Sequence, residues 1–289
     1  MPLKAKKPEV VKAVKPKVIL YGLPGVGKTW MCLDAPGNYY IDTEGGAVQP
    51  QYREKLKKAG AMYFGKEEGS QDLSALVNEV KALATEQHPY KTLTVDSYSK
   101  AYGMAIAASE ARGVTSEFAK SKQDANKATR QLQTWLERVD LTVFLVCHAK
   151  EKWQGGSVTG YTFDGLAKLE HDLDLSLEVT RKDGKTIATV RKTRLLGFPE
   201  GASFELSWAE FAKRAGDVIE RAADVFTVAT DAQVKELKAL LDTIKVPEGW
   251  EEKALAKEGV TDWAEMASER IQAAINALKK SAQGTEAKS

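Results

Sequence analysis

Residues Gly22-Leu23-Pro24-Gly25-Val26-Gly27-Lys28-Thr29 satisfy the pattern G-x-x-x-x-G-K-[ST]. The octet lies between an apolar run, Val18 to Tyr21, and a stretch, Lys28 to Leu33, that reads as a helix. This strand, loop and helix context separates a phosphate loop from an incidental glycine-rich turn. Glycines let backbone N–H groups converge on phosphate oxygens at a helix N-terminus, Lys28 bridges the terminal phosphates, and the Thr29 hydroxyl can ligate magnesium. The expected ATP contacts are Gly22, Pro24, Gly25, Val26, Gly27, Lys28, Thr29 and Trp30.

Strand and helix patterns alternate beyond the loop. Tyr39 to Asp42, Ala61 to Phe64, Thr92 to Asp96 and Leu141 to Cys147 read as strands. Leu73, Leu76, Val77, Val80, Leu83 and Ala84 keep helical spacing, as do Ala125, Ala128, Leu132, Trp135, Leu136 and Val139. Parallel strands require crossover connections, so this alternation predicts an α/β fold with a mostly parallel central sheet flanked by helices. Asp183-Gly184 between alternating runs predicts a β-hairpin, and a strand and helix are expected at Ser203 to Leu206 and Trp208 to Arg214. Lys150 to Gly165 reads as a polar, glycine-rich loop and Ala222 to Thr230 as a linker. After it, Asp231 caps the first helix of a small helical module.

Composition sets the class. With 43% apolar and 28% charged residues the chain suits an ordinary soluble protein, and no window approaches a membrane span. The N-terminus lacks the apolar segment of a signal peptide, so a cytoplasmic location is expected. Cys32 and Cys147 are expected as free, buried thiols. Forty-two basic and 40 acidic side chains nearly cancel, but six lysines against Glu9 make the first 17 residues a basic arm. A solvated tail and a phosphate-backbone contact are both open for it.

Three strand ends carry further chemistry. Asp96 closes Thr92 to Asp96 and is expected to hold the magnesium shell opposite Thr29, the Walker B role. Ser97 stands where many ATPases carry a glutamate that orients the attacking water. Asp42 or Glu44, at the end of Tyr39 to Asp42, can supply that carboxylate, and Glu44 is favoured. His148 follows the strand Leu141 to Cys147 and can hydrogen-bond the terminal phosphate or serve as a satisfied edge histidine. His171, Asp172 and Asp174 suggest a metal on paper, but i,i+2 carboxylates are usually a polar face.

Tyr21-Gly-Leu-Pro-Gly-Val-Gly-Lys-Thr29, Tyr40-Ile-Asp-Thr-Glu-Gly-Gly46, Thr94-Val-Asp-Ser97, Val146-Cys-His-Ala-Lys150 and Arg191-Lys-Thr-Arg194 together resemble the RecA-like phage ATPases of the Sak type. The resemblance covers roughly residues 17 to 200. It implies a RecA-like P-loop NTPase core, over 17–223 here, whereas the flexible basic arm over 1–16, the helical module over 231–280 and the flexible tail over 281–289 are read from composition and spacing, the group's usual core having no such C-terminal extension. It makes Glu44 the catalytic base and His148 the residue coupling phosphate state to a DNA-binding segment. Lys192 and Arg194 look like a Lys-x-Arg element whose cations reach a neighbouring subunit's nucleotide, with Thr193 in place of the usual asparagine. Oligomerisation follows from this resemblance.

The segment after His148 carries Lys150, Lys152 and Trp153, cations beside an aromatic that can stack on a base. The resemblance assigns it to single-stranded DNA, and an ordinary surface loop is the competing reading. The expected function is a magnesium-dependent, DNA-stimulated ATPase that promotes phage-type recombination or single-strand annealing, with a single-strand-binding protein or another recombination factor as a further partner. Two alternatives stand: a nucleotide-gated binding module with little turnover, and a small-molecule P-loop kinase using Arg112, Arg130 and Arg138, whose spacing forms no lid motif.

Overall fold

The computed structural model describes residues 5, 7–8, 12–111, 118–166, 168–244 and 246–286. In chain order the elements are β1 (Lys17–Gly22), α1 (Lys28–Cys32), β2 (Asn38–Asp42), α2 (Pro50–Lys58), β3 (Met62–Phe64), α3 (Leu73–Thr85), β4 (Thr92–Asp96), α4 (Tyr98–Ala111) and α5 (Phe118–Arg138). There follow β5 (Thr142–Gln154), β6 (Ser157–Phe163), α6 (Leu169–Asp172), β7 (Leu175–Lys182), β8 (Lys185–Thr193), β9 (Ser203–Glu205), α7 (Trp208–Ala215), α8 (Asp231–Ile244), α9 (Trp250–Lys257) and α10 (Ser268–Glu286).

The strands form one sheet in the order β3-β2-β4-β5-β1-β7-β8-β9, with β6 paired to β5. From β3 through β7 every neighbouring pair is parallel, while β8, β9 and β6 add antiparallel pairings. β1 is buried along its whole length, because a parallel strand covered on both faces has no wet side. Its side chains alternate between two cores: Ile19 and Tyr21 join α3 and α5 residues such as Leu76 and Trp135, whereas Val18 and Leu20 join Phe144 and Phe211. The mostly parallel α/β sheet with C-terminal helices is thus as expected.

Local signals explain the element ends. The Asp72 carboxylate accepts from the Ala75 N–H at 2.7 Å and starts α3, and Ser207 accepts from the Glu210 N–H to start α7. The C-terminal helices enclose a separate core around Leu237, Leu241, Trp263, Ile271 and Ile275. They dock on α3 and α5: Lys81 meets Glu265 at 2.9 Å, and Arg138 donates to the Glu265 carbonyl. Gly259 enables the closest approach, since its φ is +68° and a Cβ there would lie 2.1 Å from Thr134 Oγ1.

Four expectations change. The basic arm of 1–16 is not solvated to its end: Lys15 is enclosed and Pro16 accepts from the Val143 N–H, while residues 1–4, 6 and 9–11 lie outside the described residues. Lys17, counted with that arm, is buried in β1 with its ammonium on the carbonyls of Val139 and Leu141, so it offers nothing to a phosphate backbone. The stretch Ala222 to Thr230 is docked rather than free, for Phe226 packs edge-on against Trp135 and its N–H reaches the Ala84 carbonyl. The tail expected from 281 continues α10 to Glu286, and 287–289 lie outside the described residues.

Burial pushes the Lys17 amine down to about 7, against the opposing pull of Asp140 and Asp174. Below that value the folded and unfolded chains both hold the proton. Between it and the ordinary 10.5 the unfolded chain binds a proton that the folded chain has released, so this group makes stability rise with pH. Urea unfolding at pH 7 and 9.5 should therefore show an increment in the wild-type protein that Lys17→Met lacks. Parallel pH profiles for the two proteins would remove Lys17 as the cause.

Candidate functional site

Strand register brings the candidate residues to one edge. Gly22 stands opposite His148, and Asp42 opposite Asp96, with β5 inserted between β1 and β4. The C-terminal ends of four parallel strands therefore surround the loop of residues 22 to 29. In open α/β sheets, ligands bind outside such strand ends.

The loop is held from outside its own sequence. Gly27 has φ +101°, and a Cβ there would lie 2.6 Å from Thr186 Oγ1. That same hydroxyl donates to the Val26 carbonyl at 3.0 Å, so the β7–β8 hairpin props the loop from the side. Lys28 Nζ donates to the carbonyls of Gly22 and Leu23 at 2.8 and 2.9 Å, which folds the ammonium back over its own loop. Burial lowers its pKa, with Asp96 pulling the other way. Trp30 is exposed beside Tyr52, with the Lys55 ammonium 4.5 Å from its ring centroid.

Asp96 Oδ2 accepts from the Thr29 and Tyr40 hydroxyls, each at 2.6 Å. Burial raises its pKa, and the two hydroxyls offset part of that rise. The carboxylate is thus desolvated with only neutral hydrogen-bond partners, and a divalent cation beside Thr29 fits it. Among the described residues no group of three or more His, Cys, Asp or Glu side chains could hold a metal. A magnesium at Thr29 and Asp96 would take its other ligands from phosphate oxygens and water. Of His171, Asp172 and Asp174, Asp172 closes α6 and Asp174 accepts from the Lys17 N–H at 2.9 Å.

Glu44 and His148 meet. His148 Nε2 lies 2.6 Å from Glu44 Oε1, and Ser97 Oγ donates to the same oxygen. The two side chains are 51% and 38% exposed, so this pair faces the space over the loop rather than the core. Asp42, the other carboxylate at this strand end, is instead buried. It accepts from the N–H groups of Glu44, Gly45, Gly46 and Ala47 and from the Tyr63 hydroxyl. Its oxygens are spent on shaping the turn that presents Glu44. The His148 N–H donates to Ser99 Oγ, which itself donates to the Asp164 carbonyl, tying the histidine to the segment after β6.

Beyond His148 the structure corrects the expected loop. β5 runs on to Gln154 and pairs with β6, so Lys150, Lys152 and Trp153 lie on a β-hairpin projecting from the sheet. Gly155 and Gly156, both at positive φ, make its turn. Trp153 is 62% exposed, and Val158, its cross-strand partner, and Tyr161 are exposed as well.

Lys192 and Arg194 lie at the other end of the sheet. Thr193 pairs with Leu175 and Leu175 with Val18, whereas the phosphate loop follows Gly22. Lys192 donates to the Leu173 carbonyl and Arg194 to those of His171 and Asp172. Neither reaches the nucleotide site of its own chain. Of the arginines considered for a kinase lid, Arg138 lies over Trp135 and Phe226 and Arg130 lines a cleft beside α4, while Arg112 is outside the described residues.

Tyr40, Ser97, Ser99 and Thr186 were not legible as site residues. Their only signals were position: Tyr40 two residues before Asp42, Ser97 directly after Asp96, Ser99 two residues further on, and Thr186 just beyond the Asp183-Gly184 turn. Gly27→Ala combines positive φ with a clash against Thr186, so a fluorescent ATP analogue should bind it at least about tenfold more weakly, or ~1.4 kcal/mol. Unchanged affinity would show that the loop adapts without cost.

The sequence profile described as AAA domain matches residues 14–213. The crystal structure of the RadB recombinase is similar in fold at a TM-score of 0.42 and 17% identity, covering 65% of this chain and 84% of that one. Among curated proteins none matches the chain.

Proposed function

The chain belongs to the AAA domain family, and on that premise we propose that it is a magnesium-dependent, RecA-like ATPase of the Sak type. In this reading it binds single-stranded DNA and promotes recombination or strand annealing, as an oligomer in the cytoplasm, with a single-strand-binding protein or similar factor as a further partner. The observation that supports it most is the meeting of Glu44 with His148 beside Thr29 and Asp96, on a strand that continues into an exposed cationic and aromatic hairpin.

The residues divide the work. Backbone N–H groups of the loop and Lys28 hold the phosphates, and the Lys28 ammonium leaves the Gly22 and Leu23 carbonyls to meet negative charge. A magnesium ion, when bound, neutralises charge between the terminal phosphates. Glu44 orients the attacking water and takes its proton as the water oxygen bonds to the terminal phosphorus and the bond to the leaving diphosphate breaks. His148 and Ser97 orient the Glu44 carboxylate.

His148 also opens the hairpin of Lys150, Lys152 and Trp153, so a strand stacked on Trp153 is mechanically continuous with the base. Lys192 and Arg194, remote from their own loop, are assigned to the nucleotide of an adjoining copy, where cations stabilise charge in the transition state. Sharing of one Glu44 oxygen by His148 and Ser97 favours a second reading, in which the base is restrained and ATP chiefly gates DNA affinity with little turnover.

ATP hydrolysis measured at fixed magnesium and salt, with poly-dT, with duplex DNA and without DNA, decides between them. Stimulation by the single strand that Lys152→Ala and Trp153→Ala abolish is expected. Tight ATP binding without DNA-dependent turnover would move the assignment to the gated module.

Glu44→Gln should bind ATP normally and lose roughly 100-fold or more in turnover, the scale of a positioned general base. Mixing it with Lys192→Ala or Arg194→Ala protein should restore part of the activity, since some mixed interfaces contain one intact site. An absence of rescue would end the assignment in trans.

A further inference from the structure

A second recognition surface lies in the C-terminal module, outside residues 14–213, where family membership assigns nothing. A groove of about 620 Å³ opens between α9 and α10. Its floor is Leu237, Trp263 and Met266, all buried, and Trp250 forms a wall, 39% exposed with its ring 6.4 Å from that of Trp263. On the α10 side Ala273, Ala274 and Ala277 keep the surface low, so the apolar floor stays open between the helices. A space of this size accommodates one or two large side chains, within the range of about 300–1,000 Å³ typical of ligand pockets.

The rim is charged with one sign in excess. Lys253 and Lys257, one turn apart on α9, share a face, and Arg270 stands across from them. The one carboxylate of the lining, Glu258, is engaged by Arg270 at 2.9 Å. Among the described residues, the module's ion pairs are Lys81–Glu265, Arg270–Glu258 and Lys279–Glu236, which leaves Lys253 and Lys257 outside any of them.

We propose that this groove docks an acidic, amphipathic segment of a partner protein. An aromatic or leucine side chain seats against Trp250 and Trp263, and flanking carboxylates meet Lys253 and Lys257. Charge complementarity selects the acidic flank, and the apolar floor selects the anchor. A nucleic-acid strand fits less well, because it needs cations along a groove that tracks its backbone, whereas here both free cations sit on one helix turn beside an aliphatic and aromatic floor. The surface is independent of ATP turnover, so its failure and the failure of the ATPase reading are separate results.

The test presents a random dodecapeptide library to the full-length protein and measures the enriched peptides, fluorescein-labelled, by anisotropy at low and high salt. Enriched peptides should combine Asp or Glu with Trp, Phe or Leu, bind in the micromolar range and weaken as salt rises. Trp250→Ala and, separately, Lys253→Glu with Lys257→Glu should each weaken binding at least about tenfold, or ~1.4 kcal/mol. The charge-reversal variant alters only exposed side chains of α9, so its circular dichroism, melting curve and ATPase rate should match the parent, and it keeps the test decisive if Trp250→Ala unfolds. No enrichment, enrichment of basic or uncharged peptides, or undiminished binding to the charge-reversal variant would overturn the proposal. So would a dT20 oligonucleotide whose binding that variant abolishes, which would make this a strand-binding groove. A concentration-dependent dimer that the variant dissolves would instead show that a second copy fills it.

Discussion

Everything at the nucleotide end depends on the register between β1, β5 and β4. Because β5 lies between the other two, one strand places His148 beside Gly22 while its other edge aligns Val146 with Asp96. A slip by one residue would turn every side chain of that strand to the opposite face, and would move His148 away from Glu44. Register of this kind is favoured by burial: β1 and the Thr142 to Cys147 part of β5 are buried on both faces, and side chains packed on each side specify which residue faces which core.

Around that frame, polar groups at the site are positioned by partners far away in the chain. Asp42 spends its carboxylate on four successive N–H groups, which curls residues 44 to 47 and delivers Glu44 to His148 and Ser97. Thr186 props the phosphate loop from the β7–β8 hairpin. Tyr40 and Thr29 hold Asp96 in a desolvated position, where its charge interacts strongly with any cation that arrives. The carboxylates of Asp42, Glu44 and Asp96 are thus oriented by the fold itself, whereas the Lys28 ammonium is folded back on the carbonyls of Gly22 and Leu23.

The same strand that reaches the site at His148 continues as a hairpin, so the phosphate end and the exposed Trp153 belong to one strand. A short apolar strand followed by alternating lysines and glycines reads as a loop, since Lys150, Lys152, Gly155 and Gly156 lack a buried face. Pairing with β6 supplies the hydrogen bonds that make it a strand. Lys15 and Lys17 mislead for the converse reason: lysines next to prolines look solvated, yet Lys17 lies in β1, where its amine finds the carbonyls at the end of α5 and the start of β5.

Sequence alone determined the glycine-rich octet before a helix, the alternation of strands and helices, the carboxylates at and just beyond the ends of two strands, Asp96, Asp42 and Glu44, and a separate helical core. Each of these is carried by local spacing: periodicity of apolar residues, glycines before a helix, an acid at the end of an apolar run. Only the tertiary structure decided that Asp42 shapes the turn, that Glu44 meets His148, that Lys192 and Arg194 sit at the far end of the sheet, and that α9 and α10 leave an apolar groove with a cationic rim. Those facts depend on which strands become neighbours and how helices pack, and residues that meet from distant parts of the chain, as Glu44 meets Ser97 and His148, leave no periodic mark in the sequence.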